Sequence, residues 1–183
     1  MKLIVFCGVL AFVFSLITSE TCANPATDLW TNAVVTPLKN SEGKAVGEAK
    51  LLQTPQGVLI QLDLNHFPPG THAFHIHEIG TCDPPAFTSA GGHFNPSGKK
   101  HGILNPEGKH AGDLPNIHVP ESGALTIETL ATQVNLKEGD NRLFDENGSA
   151  LVIHAGPDDY HTDPAGDAGA RIACGVIAKP TAK

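Results

Sequence analysis

Residues 32–64, NAVVTPLKNSEGKAVGEAKLLQTPQGVLIQLDL, decide the fold class. Asn32 to Leu38, Ala45 to Leu52 and Val58 to Leu64 are short apolar or alternating runs, separated by Asn40-Ser41-Glu42-Gly43 and by Pro55-Gln56-Gly57. Alternation with a period of two, cut by Gly, Pro and Asn clusters, reads as antiparallel strands joined by tight turns. Working outward, Pro68-Pro69-Gly70 closes this series and Ala73 to Glu78 resumes a strand. Ile117 to Val119, Ala124 to Leu130, Ala150 to Ala155 and Arg171 to Ala178 complete the pattern. About seven or eight strands without an internal repeat predict an all-β protein, a Greek-key antiparallel β-barrel or sandwich. Two long loops interrupt it, Ile79 to Leu114 and Gly156 to Gly169. The first carries Pro84-Pro85, Gly91-Gly92, Pro96, Gly98, Pro106 and Gly108, so no regular element is expected to run through it. Irregular segments of that length in a small domain are kept for function or are disordered.

Composition narrows the classes. The 183 residues carry 12 Lys+Arg against 19 Asp+Glu, a formal net charge of −7, which argues against a nucleic-acid binder of the basic kind. With 40% hydrophobic residues, 19 glycines and 14 prolines, the chain is too apolar for disorder and too punctuated for a helical bundle. Met1-Lys2, the apolar run Leu3 to Ile17 and the small residues at Thr21-Cys22-Ala23 read as a secretory signal peptide, residues 1–23, cut after Ala23. A membrane anchor is disfavoured because a span needs roughly 18 apolar residues, and the residues before Cys22 do not suit lipid attachment. Residues 24–183 then form one domain, with no membrane association after the leader is removed. Removing the leader leaves Cys82 and Cys174, which should pair in an oxidising compartment; two free buried thiols are the alternative.

The ten histidines, all between His66 and His161, are where function is sought. His75 and His77 flank Ile76 in a strand, so their side chains share one face, as two ligands of one metal ion require; a merely polar strand face is the alternative. The long loop supplies His93, His101, His110 and Asp113, a nitrogen and oxygen set that suits a tetrahedral zinc site and that would give the loop a source of order. His154, in a late strand, is left as a third ligand for the His75 and His77 ion. His72 has the opposite parity and is expected to make a buried hydrogen bond. His66 and His118 are expected to be surface or structural, and His161 to approach a site mouth.

His75-Ile76-His77-Glu78, Gly91-Gly92-His93-Phe94-Asn95-Pro96, Lys100-His101-Gly102, His110-Ala111-Gly112-Asp113-Leu114, His154 and Arg171-Ile172-Ala173-Cys174-Gly175-Val176-Ile177 resemble, in order, the successive signatures of the copper-zinc superoxide dismutase family. Cys82, five residues after His77, is placed as in the bacterial secreted branch. The resemblance implies copper on His75, His77, His93 and His154, and zinc on His93, His101, His110 and Asp113, with His93 shared. It implies that Asp158 joins a copper ligand to a zinc ligand, that Arg171 lines the mouth above copper, and that Cys82 and Cys174 form a disulfide. The implied activity is conversion of superoxide to dioxygen and hydrogen peroxide by Cu(II)/Cu(I) cycling, with His93 and Arg171 as catalytic residues, in the bacterial periplasm. Lys99, Lys100 and Lys109 are further candidates for a positive mouth, with plain solvated loop charges as the favoured alternative. A copper carrier, a zinc hydrolase and a purely structural sandwich are the rival classes, and the sequence leaves open whether the chain is a monomer or a homodimer.

Overall fold

The computed structural model describes residues 29–179. The leader, its two cysteines Cys7 and Cys22, and the cleavage position lie outside the described residues. Nine strands follow one another: β1 Val34–Asn40, β2 Ala45–Thr54, β3 Gly57–Leu64, β4 Gly70–His72, β5 Phe74–His77, β6 Ile117–Val119, β7 Leu125–Ala131, β8 Ser149–His154 and β9 Arg171–Ile177. Seven form one antiparallel sheet in the order β5-β8-β9-β1-β2-β3-β7, and β4 pairs with β6 in a second. The two sheets close on one another because β4 runs on into β5 and β6 turns directly into β7. Strand order departs from chain order between β5 and β8, between β9 and β1 and between β3 and β7, the Greek-key pattern expected for this all-β chain.

One strand more than the expected eight appears because the run Gly70–His77 changes partner at Ala73. There the backbone N–H donates to Gly156 O at 2.8 Å, and the carbonyl accepts from His154 N at 3.0 Å. The alternation read in residues 32–64 is realised: in β1, Val34, Thr36 and Leu38 are buried while Val35, Pro37 and Lys39 are not. Leu38, Leu51, Ile60 and Leu62 join Phe74, Ile76, Leu151 and Ile153 in one core.

That core also fixes where the functional side chains go. In β5, Phe74 and Ile76 point into the barrel, so His75 and His77 must point out of it. They are nevertheless buried, because the long loop lies over this outer face. The loop pairs with the free edge of β5: Ile76 N donates to Gly112 O at 2.9 Å, Phe94 N to Ile76 O at 2.8 Å and Glu78 N to Gly92 O at 3.0 Å. Gly112 has to be glycine, since a Cβ there would collide with the Ile76 carbonyl.

The loop also has apolar anchoring of its own, with Phe87 and Ala90 packed on Ala150, Val152 and Cys174 of the outer wall. Coordination is therefore not its only source of order, and Thr88–Ala90 forms one 3-10 turn where no regular element was expected. Cys82 and Cys174 are disulfide-bonded, tying the loop to β9. A third long connection, residues 132–148, joins β7 to β8 in addition to the two expected loops. It is held by buried Val134 and Leu143 and by Leu136 N donating to Gln53 Oε1 at 2.7 Å, away from the histidines.

Candidate metal centre

Two groups of donors meet on the outer face of the barrel. His75, His77, His93 and His154 offer one nitrogen each within 4.8 Å of one another, and His93, His101, His110 and Asp113 offer a second set within the same limit. All seven residues are buried. The expected ligands are thus brought together without exception, from β5, from β8 and from three points of the long loop.

Second hydrogen bonds decide which nitrogen each ring presents. His75 Nε2–H donates to Asp158 Oδ2 at 2.9 Å, His77 Nδ1–H to Gly91 O at 3.0 Å and His154 Nδ1–H to Gly169 O at 3.3 Å. Each bond leaves the other ring nitrogen with its lone pair, as a metal ligand needs. Those nitrogens, His75 Nδ1, His77 Nε2 and His154 Nε2, together with His93 Nε2, are buried and have no hydrogen-bond partner within the protein. Four orphaned imidazole nitrogens facing one point would cost several kcal/mol in total unless something accepts them, roughly 1–3 kcal/mol each. A copper ion fits that donor set: imidazole serves its two oxidation states.

His93 differs from its neighbours in that neither of its nitrogens has an outside partner. Its Nε2 faces the first group, while its Nδ1 lies 2.9 Å from Asp113 Oδ1 and 3.4 Å from His110 Nδ1. His101 presents Nδ1 to the same carboxylate at 3.1 Å and donates Nε2–H to Asp158 Oδ1 at 2.9 Å. Three imidazoles and one carboxylate with no gap between them match a closed zinc site. Asp113 is itself fixed, its Oδ2 accepting from Gly102 N at 2.9 Å and His110 N at 3.0 Å.

Asp158 spans the two groups, with one oxygen on His75 and the other on His101. Sequence reading placed it there only through the family resemblance, and it did not find what holds it. Asn116 does: its side-chain amide donates to Asp158 O at 2.9 Å and its Oδ1 accepts from Asp158 N at 2.8 Å, in the manner of a backbone pair. Gly166 packs directly on the Asp158 carboxylate and the His101 ring, where a Cβ would not fit.

The register slip between β8 and β9 sets the mouth. Ile153 pairs with Ala173 but His154 pairs with Arg171, so one residue of β9 is skipped and the arginine comes opposite the histidine. Arg171 Nη1 and Nη2 donate to Phe87 O and Gly91 O, each at 2.7 Å. Lys99, Lys100 and Lys109 do not line the cavity at the mouth. Lys109 Nζ donates to Asp113 O at 2.8 Å, and Lys100 lies 3.5 Å from Asp163. His161 is exposed and likewise does not line it, against expectation. His72 makes the buried hydrogen bonds expected of it, to His154 O at 2.9 Å and Pro68 O at 3.0 Å; His66 and His118 are exposed.

Burial is the first cause of low histidine pKa values here: His77 is pushed down to about 2, His154 to about 3 and His93 to about 4, with neighbouring rings adding to the effect. Burial also opposes the charge on His101, but hydrogen bonds to Asp113 and Asp158 outweigh it and raise the group to about 9. Burial would raise Asp113 and Asp158, yet hydrogen bonds from the histidines hold both well below the usual carboxylate range. The metal-free protein should therefore lose stability as pH falls. For His77, His93 and His154 the folded pKa lies below the unfolded value of about 6.5, so their stabilisation is present above that pH and is lost as pH drops towards their folded values. The unfolded chain takes up as many as three extra protons, a slope on the order of 4 kcal/mol per pH unit at its steepest. His101 has the opposite sign, its contribution being complete below about 6.5 and lost as pH rises through about 9. Denaturant midpoints of the metal-free protein between pH 4.5 and 7 check this; a flat profile would contradict it.

An antiparallel Greek-key barrel carrying two adjoining histidine-rich donor groups on its outer wall defines a two-ion metalloprotein. Residues 45–177 match the family described as copper/zinc superoxide dismutase (SODC). Superoxide dismutase [Cu-Zn] 1 of Aquifex aeolicus is 59% identical over 140 residues, 75% of this chain and 83% of the relative. Superoxide dismutase [Cu-Zn] of Caulobacter vibrioides is 46% identical over 143 residues, 76% of this chain and 82% of the relative. The crystal structure of a SOD-like protein from Bacillus subtilis superposes with a TM-score of 0.77 at 43% identity, over 79% of this chain and 98% of that one. The chain belongs to the copper/zinc superoxide dismutase family.

Proposed function

We propose that this chain is an exported superoxide dismutase in which His75, His77, His93 and His154 hold copper and His93, His101, His110 and Asp113 hold zinc. The observation that carries the reading is His93, whose two ring nitrogens are committed to two different donor groups. Copper held there would supply one-electron redox chemistry, by which one superoxide is oxidised to dioxygen and a second is reduced and takes up two protons to leave as hydrogen peroxide. The protein does the rest. Arg171, held by two loop carbonyls, presents its remaining donors and its charge to the anion at the cavity mouth. His93 lines the same cavity, and its Nε2 can hold one of the two protons between the half-reactions and hand it to the departing peroxide, the other coming from water. Asp158 keeps His75 and His101 in the tautomers that both sites need.

The Cys82–Cys174 bond suits an oxidising compartment, and with the leader sequence it supports a periplasmic location. Among the described residues no helix is long and apolar enough to cross a membrane. Loading the purified chain tests the reading. One copper and one zinc per chain with dismutase turnover is expected, and replacing zinc by a paramagnetic divalent ion should couple magnetically to copper through His93. Zinc alone without turnover, or two filled sites without coupling, would overturn it. Arg171→Glu should slow turnover about tenfold at low ionic strength and invert its salt dependence; an unchanged rate at low salt would remove Arg171 from substrate capture.

A further inference from the structure

Above the donor groups lies a cavity of about 350 Å³, lined by His77, His93 and His154 and by both loops. Histidines apart, only two of its lining residues are ionisable, Arg171 and Glu78. The substrate is an anion, so a carboxylate at the mouth opposes its approach, and none of Lys99, Lys100 and Lys109 lines the cavity to offset it. Glu78 is exposed, and among the described residues it forms no ion pair. Arg171 does not neutralise it, because the guanidinium bonds to Phe87 O and Gly91 O instead.

What Glu78 does contribute is local order. Its backbone N–H donates to Gly92 O at 3.0 Å, and its Oε1 accepts from Gly92 N at 2.9 Å, so both backbone groups of the residue before His93 are bound by the residue after His77. His77 and His93 face each other across an isolated antiparallel bridge at this point. The carboxylate sits against the two glycines: a Cβ on Gly91 would come within 2.9 Å of Glu78 Cγ, and one on Gly92 within 3.4 Å of its Oε1. Gly91 O in turn accepts from both His77 Nδ1–H and Arg171 Nη2–H. Glu78 thus holds the short segment that places the shared imidazole, one His77 tautomer and the mouth arginine together.

We propose that Glu78 is a positioning residue for His93 whose charge slows the approach of the anionic substrate. The proposal rests on the dismutase reading for its substrate, and two substitutions separate its halves. Glu78→Gln keeps an oxygen for Gly92 N and removes the charge; Glu78→Ala removes both.

The full chain loaded with copper and zinc is used throughout. Three quantities are measured: the second-order rate with superoxide against ionic strength, azide affinity for the oxidised copper site, and the copper electron paramagnetic resonance spectrum. For Glu78→Gln the rate at low salt should rise about two- to fivefold and azide should bind more tightly by a similar factor. Both gains should vanish near 1 M salt, where screening acts within about 3 Å, and the spectrum should stay that of the wild type. For Glu78→Ala the spectrum should change and the rate should fall below that of Glu78→Gln. A Glu78→Gln enzyme no faster at low salt, with unchanged azide affinity, would overturn the charge role. A Glu78→Ala protein with the wild-type spectrum and the rate of Glu78→Gln would overturn the positioning role. Should the wild type itself fail to dismutate superoxide, the dismutase reading falls, while the azide comparison still decides whether the Glu78 charge opposes anions.

Discussion

His93→Ala is expected to weaken both metal sites at once, each by about 100-fold or more, and to abolish dismutase turnover. The magnitude follows from comparison: losing a partner that merely orients a ligand costs about 10–100-fold in affinity, and on the proposed ligand sets a ligand itself would be lost from two sites. His93 is the only residue common to the two four-member donor groups. Its removal leaves His75, His77 and His154 on one side and His101, His110 and Asp113 on the other, with the Asp158 carboxylate still hydrogen-bonded to both. His110→Ala is the control, because His110 belongs to the second group alone; zinc affinity should fall while copper is retained. Chelator competition for each metal, followed by metal analysis of the dialysed protein, checks both variants. A His93→Ala protein that keeps one copper and one zinc at wild-type affinity would dissolve the shared-ligand account.

Much of this centre was legible in the sequence because it depends on strand parity. His75 and His77 share a face whatever the rest of the chain does, and Phe74 and Ile76 must then fill the core. The order of the motifs also survives folding, since the long loop simply returns along the edge of β5. What parity cannot show is where an irregular backbone puts its polar groups. Gly91 O serves His77 and Arg171 together, and Asn116 grips Asp158 by both of its amide atoms; both contacts join residues far apart in sequence and have no periodic signature. Which loop lysines face the mouth was not legible for a related reason. Net charge and sequence proximity to the ligands say nothing about which way a long side chain turns, and Lys109 turns inward to a carbonyl. Glu78 could have been noticed from its position, an acidic residue next to His77 and opposite Gly91-Gly92, had the paired glycines been read as room for a side chain.

Breaking the disulfide should have the largest effect on stability. Cys82 and Cys174 are 92 residues apart in sequence, and in the chain-entropy description closing a loop of that size is worth roughly 4–5 kcal/mol. For a domain of this length that corresponds to a loss on the order of 10 °C in Tm. Cys82→Ala with Cys174→Ala is the appropriate pair, because Cys174 is buried and a serine there would bury an unpartnered hydroxyl. The effect should not stop at stability. Residues 82–91 carry both carbonyls that hold Arg171, and Gly91 O also fixes His77. Freed from β9, that segment keeps the packing of Phe87 and Ala90 on Ala150 and Val152 and the bond from Ile79 N to Ala90 O at 3.1 Å, but loses its covalent tie. Arg171 would then sample orientations away from the mouth, and turnover in the folded, metal-loaded variant should fall several-fold and become less sensitive to salt. Measuring denaturation and low-salt turnover on the same preparations separates the two consequences. If stability drops by the expected amount while turnover and its salt dependence stay those of the wild type, the small apolar cluster alone positions the carbonyls, and the disulfide serves the fold without serving the site.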